Sequence, residues 1–196
     1  MTGTDQDALK LLREIGAVVD GHFILPSGLS SPTLIDRPRL FMYPCHLQAL
    51  CALLCRELHS QKLTGFDRVV SISRANMVLG HEVARQMGCP STWLEKEAGS
   101  LKLVGPNLEK KSRLLIVEDV VNTGASSQEA IHALESWGME AVGVACVINR
   151  SNGQANLELP IISLIDMQVP AYALDQVPRY LEEIPAIVTG NVASGH

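Results

Sequence analysis

Aromatic residues are scarce in this chain: three Phe, three Tyr and two Trp among 196 residues. A core built from such material must be mainly aliphatic. The stacking platforms on which single-stranded nucleic acids are held are disfavoured. Excess positive charge is missing too. Sixteen Lys and Arg against 21 Asp and Glu give a formal net charge of −5 with no strongly basic block. That argues against general binding to nucleic acid or to an anionic membrane surface. No segment has the length and apolarity of a membrane span. The opening Met1 to Asp7 is polar and acidic, unlike a secretory leader. Five cysteines, an odd number, read as reduced thiols, and a cytoplasmic location is expected.

What is present suits one folded α/β domain. Apolar residues make up 46% and charged residues 19%, which excludes a disordered or fibrous chain. No internal repeat or dividing linker is found, so residues 1–196 are read as a single domain. Helical spacing of Ala8, Leu11, Leu12, Ile15 and Val18 predicts a helix over 7–19. Gly21 to Gly28 reads as a short strand and turn. Pro32 to Leu40 reads as extended, because Pro32 and Pro38 resist helix. A strong helix is predicted over 46–60, a buried strand over 68–73, and a helix over 77–87 ended by Gly88. Ser91 to Leu94 is a short strand. Glu95 to Lys111 is polar, without a clean period, and reads as a mobile loop. A strand over 113–117, a helix over 126–137 and strands over 141–148 and 160–165 complete the pattern. Strands alternating with helices predict a mostly parallel central sheet flanked by helices. Ligands on such sheets bind beyond the carboxyl ends of the strands, which points to loops 73–76, 118–126 and 149–153.

The central loop carries the most chemistry. The buried run ending at Val117 is followed by two carboxylates, Glu118 and Asp119, then by Asn122-Thr123-Gly124-Ala125-Ser126 and a helix. A helix N-terminus offers unpaired N–H groups to an anion, and small residues let a phosphate approach closely. The carboxylates suit sugar hydroxyls, which donate charge-assisted hydrogen bonds. Ribose 5-phosphate has both ends. The segment is neither a Walker loop nor the Gly-x-Gly-x-x-Gly dinucleotide fingerprint.

Val117 to Ser126 resembles the phosphoribosyl diphosphate (PRPP) motif of type I phosphoribosyltransferases. Further likeness, to the orotate-using branch, lies in Gly21-His22-Phe23 with Ser27-Gly28 and Ser31, in Leu79-Gly80 with Glu82 to Arg85, in Asn149-Arg150-Ser151, and in Val169-Pro170. The resemblance implies a small N-terminal hood contributed by residues 1–40; small, polar composition makes 188–196 a disordered tail by expectation. It implies a glycosyltransferase of pyrimidine biosynthesis that moves ribose 5-phosphate from PRPP to orotate or a related base, with Mg²⁺ arriving on PRPP and a homodimer as the working state. Carried over by position, Glu118 and Asp119 take the ribose hydroxyls and Asn122, Thr123, Gly124, Ala125 and Ser126 the 5-phosphate. Ser73, Arg74, Ala75 and Asn76 form the pyrophosphate loop. Arg150, Leu34 and Ile35 face the acceptor. Lys96 and Lys102, with Asp119, are the catalytic candidates.

The same comparison marks departures. The pyrophosphate loop has no glycine before Gly80, although Asn76 tolerates a left-handed backbone and Arg74 adds charge. Glu95 stands where a positive residue is expected. Pro26 replaces a lysine of some relatives, Leu34 and Ile35 replace an aromatic stretch, and Asn149 replaces an aspartate. These changes point to an acceptor other than orotate, or to none.

Other features carry less. Cys51, Cys55 and His59 share a helix face, but zinc ligands usually come as two separated pairs, so the thiols are assigned to the core and no resident metal is expected. His22 is given a structural role, and Trp93 either lines the site or packs. Three readings stand: a phosphoribosyltransferase, a PRPP or nucleotide sensor that kept the ribose-phosphate loop, and a scaffold that kept only the fold.

Overall fold

The chain runs α1 Gly3–Glu14, β1 Val18–Ile24, β2 Ser30–Ile35, α2 Arg39–Met42, α3 Pro44–Ser60, β3 Arg68–Ile72, α4 Met77–Met87, β4 Ser91–Glu97, β5 Ser100–Val104, β6 Arg113–Val121, α5 Ala125–Ser136, β7 Glu140–Asn149, β8 Ile161–Asp166, α6 Arg179–Glu182 and β9 Ile187–Val188. A single 3-10 turn, Arg74–Asn76, precedes α4. The computed structural model describes residues 3–105 and 109–189.

The main sheet has the order β5-β4-β3-β6-β7-β8. All neighbours in it are parallel except the β4–β5 pair. Every residue of β6 after Arg113 is buried. It lies between β3 and β7 with both faces covered, which is why its sequence is a continuous apolar run rather than an alternation. Leu115 and Val117 pack with Leu12, Leu50, Leu54 and Leu58 on one face. Leu114 and Ile116 pack with Ala130, Ile131 and Leu134 on the other. Helices thus cover both faces, as the alternation of strands and helices predicts.

Cys51 and Cys55 point into this core with Leu47, Leu50 and Leu58. Burial pushes both thiols up, Cys55 to about 11. His59 donates a ring N–H to the Cys55 carbonyl at 2.7 Å.

Three predicted boundaries are corrected. The first helix stops at Glu14, because Gly16 takes φ +68° and closes the helix with Gly16 N–H to Arg13 O and Ala17 N–H to Leu12 O. That pair of bonds is a Schellman cap, and it releases Val18 into β1. The extended stretch over 32–40 ends at Ile35; Pro38 then starts a turn of helix. The expected mobile loop over 95–111 is largely a β-hairpin. β4 continues to Glu97 and returns as β5 through Ala98 and Gly99, both at positive φ, the backbone that a two-residue hairpin turn requires. Residues 106–108 of that loop lie outside the described residues.

The smaller sheet, β2-β1-β9, takes in the strands of the expected hood, residues 1–40, and adds one from beyond it. It is not purely N-terminal. β9 pairs with β1 in parallel, and the Thr189 N–H donates to Ile24 O at 2.9 Å. Val188, expected in a tail, is therefore a strand residue; 190–196 lie outside the described residues. Buried His22 ties the chain ends together, through Nδ1 to Ile184 O at 2.9 Å and Nε2 to Ser30 Oγ at 2.8 Å.

Candidate functional site

The three loops expected to matter lie at the carboxyl ends of β3, β6 and β7, three adjacent parallel strands. Glu118 and Asp119 are not beyond β6, as their charge suggested, but inside it, 7% and 1% exposed. Successive strand residues face opposite sides. Glu118 accordingly meets α5, accepting a hydrogen bond from Ser127 Oγ on Oε1. Asp119 meets the hood, accepting Arg37 Nε on Oδ2 at 2.6 Å and Nη2 on Oδ1 at 2.8 Å, with the Val120 N–H also on Oδ1 at 2.8 Å.

Burial raises the Glu118 pKa. The Ser127 hydroxyl opposes this, the Asp119 charge adds to it, and the Arg37 charge opposes it. Arg37 is held above its usual value by its hydrogen bonds to Asp119, against the cost of its own partial burial. Neither Arg37 nor Ser127 is singled out by the sequence. Their partners are remote in the chain, and the available clue was that two carboxylates beside an apolar strand need counter-donors if buried.

Gly124 opens α5 at φ +79°. A Cβ there would lie 3.0 Å from Ala155 Cβ and 3.1 Å from Leu157 Cδ2, so conformation and space both call for glycine. The Ala125 N–H is capped by Thr123 Oγ1 at 3.3 Å. The helix N-terminus borders a polar cleft of about 140 Å³ lined by Arg37, Glu118 and Val120 to Ser126. All five predicted phosphate-loop residues, Asn122 to Ser126, are in its wall.

A second, larger cavity of about 530 Å³ opens under the hood. Leu25, Pro26, Leu34 and Ile35 form apolar walls, and Arg150, Arg37 and Asp36 supply charge. Leu34 and Ile35 thus share one cavity with Arg150, which is remote from them in sequence. The Arg150 backbone is anchored by its N–H to Val121 O at 2.7 Å. Burial lowers its guanidinium pKa, and it has no ion pair among the described residues. Arg37 belongs to both cavities and is their shared wall.

The pyrophosphate-loop candidates are differently placed. Ser73 adopts φ +76°, ψ 157°, a region that glycine occupies almost alone, while its N–H donates to Leu94 O at 3.0 Å. Asn76 is buried. Its Nδ2 donates to Ile72 O at 3.0 Å, and its Oδ1 has no partner among the described residues. Arg74, expected to offer charge, is paired with Glu95 at 2.8 Å. Trp93 also donates to Glu95, at 3.0 Å, and these two donors lower the Glu95 pKa. Lys96 is bound to Glu129 of α5 at 2.8 Å, and Lys102 pairs with Glu97 across the hairpin. The three cations therefore face carboxylates of their own chain.

Comparison with known proteins gives a consistent result. The phosphoribosyl transferase domain family matches residues 46–172. Orotate phosphoribosyltransferase of Brucella ovis is 38% identical over 185 residues, covering 94% of this chain and 96% of that protein. Among solved structures, Leishmania donovani UMP synthase matches with a TM-score of 0.65 and 28% identity, over 83% of this chain and 36% of the synthase. Orotate phosphoribosyltransferase from Aeropyrum pernix matches in fold with a TM-score of 0.67 and 24% identity, over 79% of this chain and 90% of that one.

Proposed function

The chain belongs to the phosphoribosyltransferase family, and we propose that it transfers ribose 5-phosphate from PRPP to orotate or a related nitrogenous base, releasing pyrophosphate. It is an enzyme of the glycosyltransferase class. The observation that carries the proposal is the meeting of two unlike cavities at Arg37. One is polar, at a helix N-terminus with Glu118 in its wall; the other is mainly apolar, with a guanidinium, that of Arg150, which has no ion pair among the described residues. A phosphorylated sugar suits the first and a planar anionic base the second.

In this reading the 5-phosphate sits against Asn122 to Ser126, where unpaired N–H groups and the helix dipole favour it. Glu118 and Asp119 accept the ribose hydroxyls, and Asp119 adds negative charge near a transition state of oxocarbenium character. Arg150 orients the acceptor. Mg²⁺ enters as part of the PRPP substrate. Orientation and fixed charge are then the enzyme's main contributions. Lys96 and Lys102 reach the leaving pyrophosphate only after parting from Glu129 and Glu97. A cytoplasmic homodimer belongs to the same proposal, since the resembling family sets this arm across a subunit interface. Sedimentation of the purified protein tests the dimer.

One observation favours a second reading, a PRPP- or nucleotide-binding protein without transfer: Arg74, Lys96 and Lys102 are all held in ion pairs. The deciding experiment measures pyrophosphate release from PRPP and Mg²⁺ over a panel of bases that starts with orotate. Release that depends on a base supports transfer. Calorimetric binding of PRPP without release for any base supports the second reading. Absence of binding overturns both.

A further inference from the structure

Both carboxylates of the ribose-phosphate site have partners within the chain. Ser127 engages only Oε1 of Glu118. Asp119 is more fully committed: each of its oxygens accepts a guanidinium N–H, and Oδ1 accepts the Val120 N–H as well. The carboxylate is 1% exposed, whereas the Arg37 side chain covering it is 52% exposed. Arg37 is also the single cation among the residues lining the polar cleft, and it lines the apolar cavity under the hood. A sugar hydroxyl approaching Asp119 therefore meets the guanidinium first.

We propose that Arg37 is a positioning counter-ion that holds Asp119 until the ribose hydroxyls of a ligand displace it, so that part of the hydroxyls' binding energy is used to move it. The inference rests on the ribose-phosphate reading above. Two parallel charge-assisted hydrogen bonds bind the fork to the carboxylate, and a ligand replaces them well only if it also brings hydroxyl donors. A sugar phosphate without those hydroxyls reaches the N-terminus of α5 and leaves Arg37 in place. Once displaced, the guanidinium stays on the wall between the two cavities, beside a phosphate on one side and an acceptor on the other. Arg37 is half exposed and regains water when it parts from Asp119, and the incoming hydroxyls supply the partner that the buried carboxylate needs.

The test compares ribose 5-phosphate with its 2,3-dideoxy analogue by calorimetry, so that the phosphate contribution cancels in the ratio of dissociation constants. In wild type the hydroxyls must first displace Arg37, which narrows the difference between the two ligands. In Arg37→Gln the preference for ribose 5-phosphate should widen by roughly tenfold, the scale of one charge-assisted hydrogen bond. An unchanged or smaller preference in the variant overturns the proposal. A second measurement needs no variant: in wild type the Arg37 Nε–H resonance should shift with ribose 5-phosphate but not with the dideoxy analogue or inorganic phosphate. Equal shifts with all three would overturn it. If wild type fails to bind ribose 5-phosphate at all, the ribose-phosphate reading falls and takes this inference with it. That outcome is distinct from binding with an unchanged preference.

Discussion

Arg37 and Asp119 meet fork to carboxylate across 82 positions of chain, joining the turn after β2 to the middle of the sheet through Nε–Oδ2 at 2.6 Å and Nη2–Oδ1 at 2.8 Å. The two ends of this pair are in different surroundings. Asp119 is sealed from water, and Arg37 is about half open to it. An ion pair with one buried end is held by the need of that end for a partner more than by the Coulomb attraction itself.

Removing the two partners should therefore have unequal effects. Arg37→Ala leaves a buried carboxylate with only the Val120 N–H, and a loss of about 3 kcal/mol is expected. Asp119→Asn leaves a guanidinium that water can reach, and about 1 kcal/mol is expected. Urea midpoints of the two variants at neutral pH check the order. Equal losses, or a larger loss for Asp119→Asn, would show that the pair is not controlled by its buried end.

Glu118 makes a pH prediction of definite sign. Its folded pKa lies above the ordinary value of 4.5, chiefly because burial disfavours the charge. Folding therefore takes up a proton at this residue as pH enters the window above 4.5. The stability associated with the neutral carboxyl is present below the ordinary value and is lost as pH rises through the raised one. Glu118→Gln has no proton to lose and stays neutral throughout. The variant should gain on wild type as pH is raised from 4 to 8, and the gain should level off once Glu118 is ionised in the folded protein. A difference in unfolding free energy that stays flat, or falls, over this range contradicts the assignment.

The parts of this site that were legible in the sequence are those whose reasons are local. The apolar run of β6 needs only two covered faces, and Asn122-Thr123-Gly124-Ala125-Ser126 needs only a helix to begin and a backbone free to turn. The misread parts depend on remote partners. Bare carboxylates belong in water, so the sequence puts Glu118 and Asp119 outside the strand; Ser127 and Arg37 let them stay inside. A charged segment without helical period resembles a mobile loop, which is where the sequence puts Lys96 and Lys102. The register Glu95↔Lys102 and Lys96↔Leu101 shows a hairpin whose alternation is partly hidden by charge on both strands. The first helix differs in kind, since its stop signal, Gly16, is local, and the helical spacing of apolar residues continues past it to Val18.

Arg150 should separate the two cavities functionally. Its guanidinium is half-buried in the apolar cavity and has no ion pair among the described residues, so an anionic acceptor is its natural partner. Arg150→Ala should weaken binding of such an acceptor by about 2 kcal/mol, the usual scale for a hydrogen bond to a charged group. Ribose 5-phosphate affinity should stay within twofold, and Arg150→Lys should recover only part of the loss, because the bidentate fork is gone. Titrating orotate and ribose 5-phosphate separately into each variant makes the comparison. Equal weakening of both ligands would mean that Arg150 supports the fold of the site and not the acceptor.

Ser73 offers a prediction in the opposite direction, a substitution that stabilises. Its φ of +76° with ψ of 157° places a Cβ-bearing residue in backbone space used almost only by glycine. Such a residue costs on the order of 1–3 kcal/mol and persists when its surroundings hold it there. Here the holding contacts are visible: Ser73 N–H to Leu94 O, Arg74 to Glu95, and Asn76 Nδ2 to Ile72 O. None of them uses the Ser73 side chain. Ser73→Gly should keep all three and remove the strain. Part of the gain is offset by the greater freedom of glycine in the unfolded chain, leaving a net stabilisation of about 1 kcal/mol. Thermal and urea unfolding read this directly. If Ser73→Gly is instead neutral or destabilising while binding of PRPP changes, the serine conformation is not strained in the folded protein, and its role lies in contacts made only with ligand.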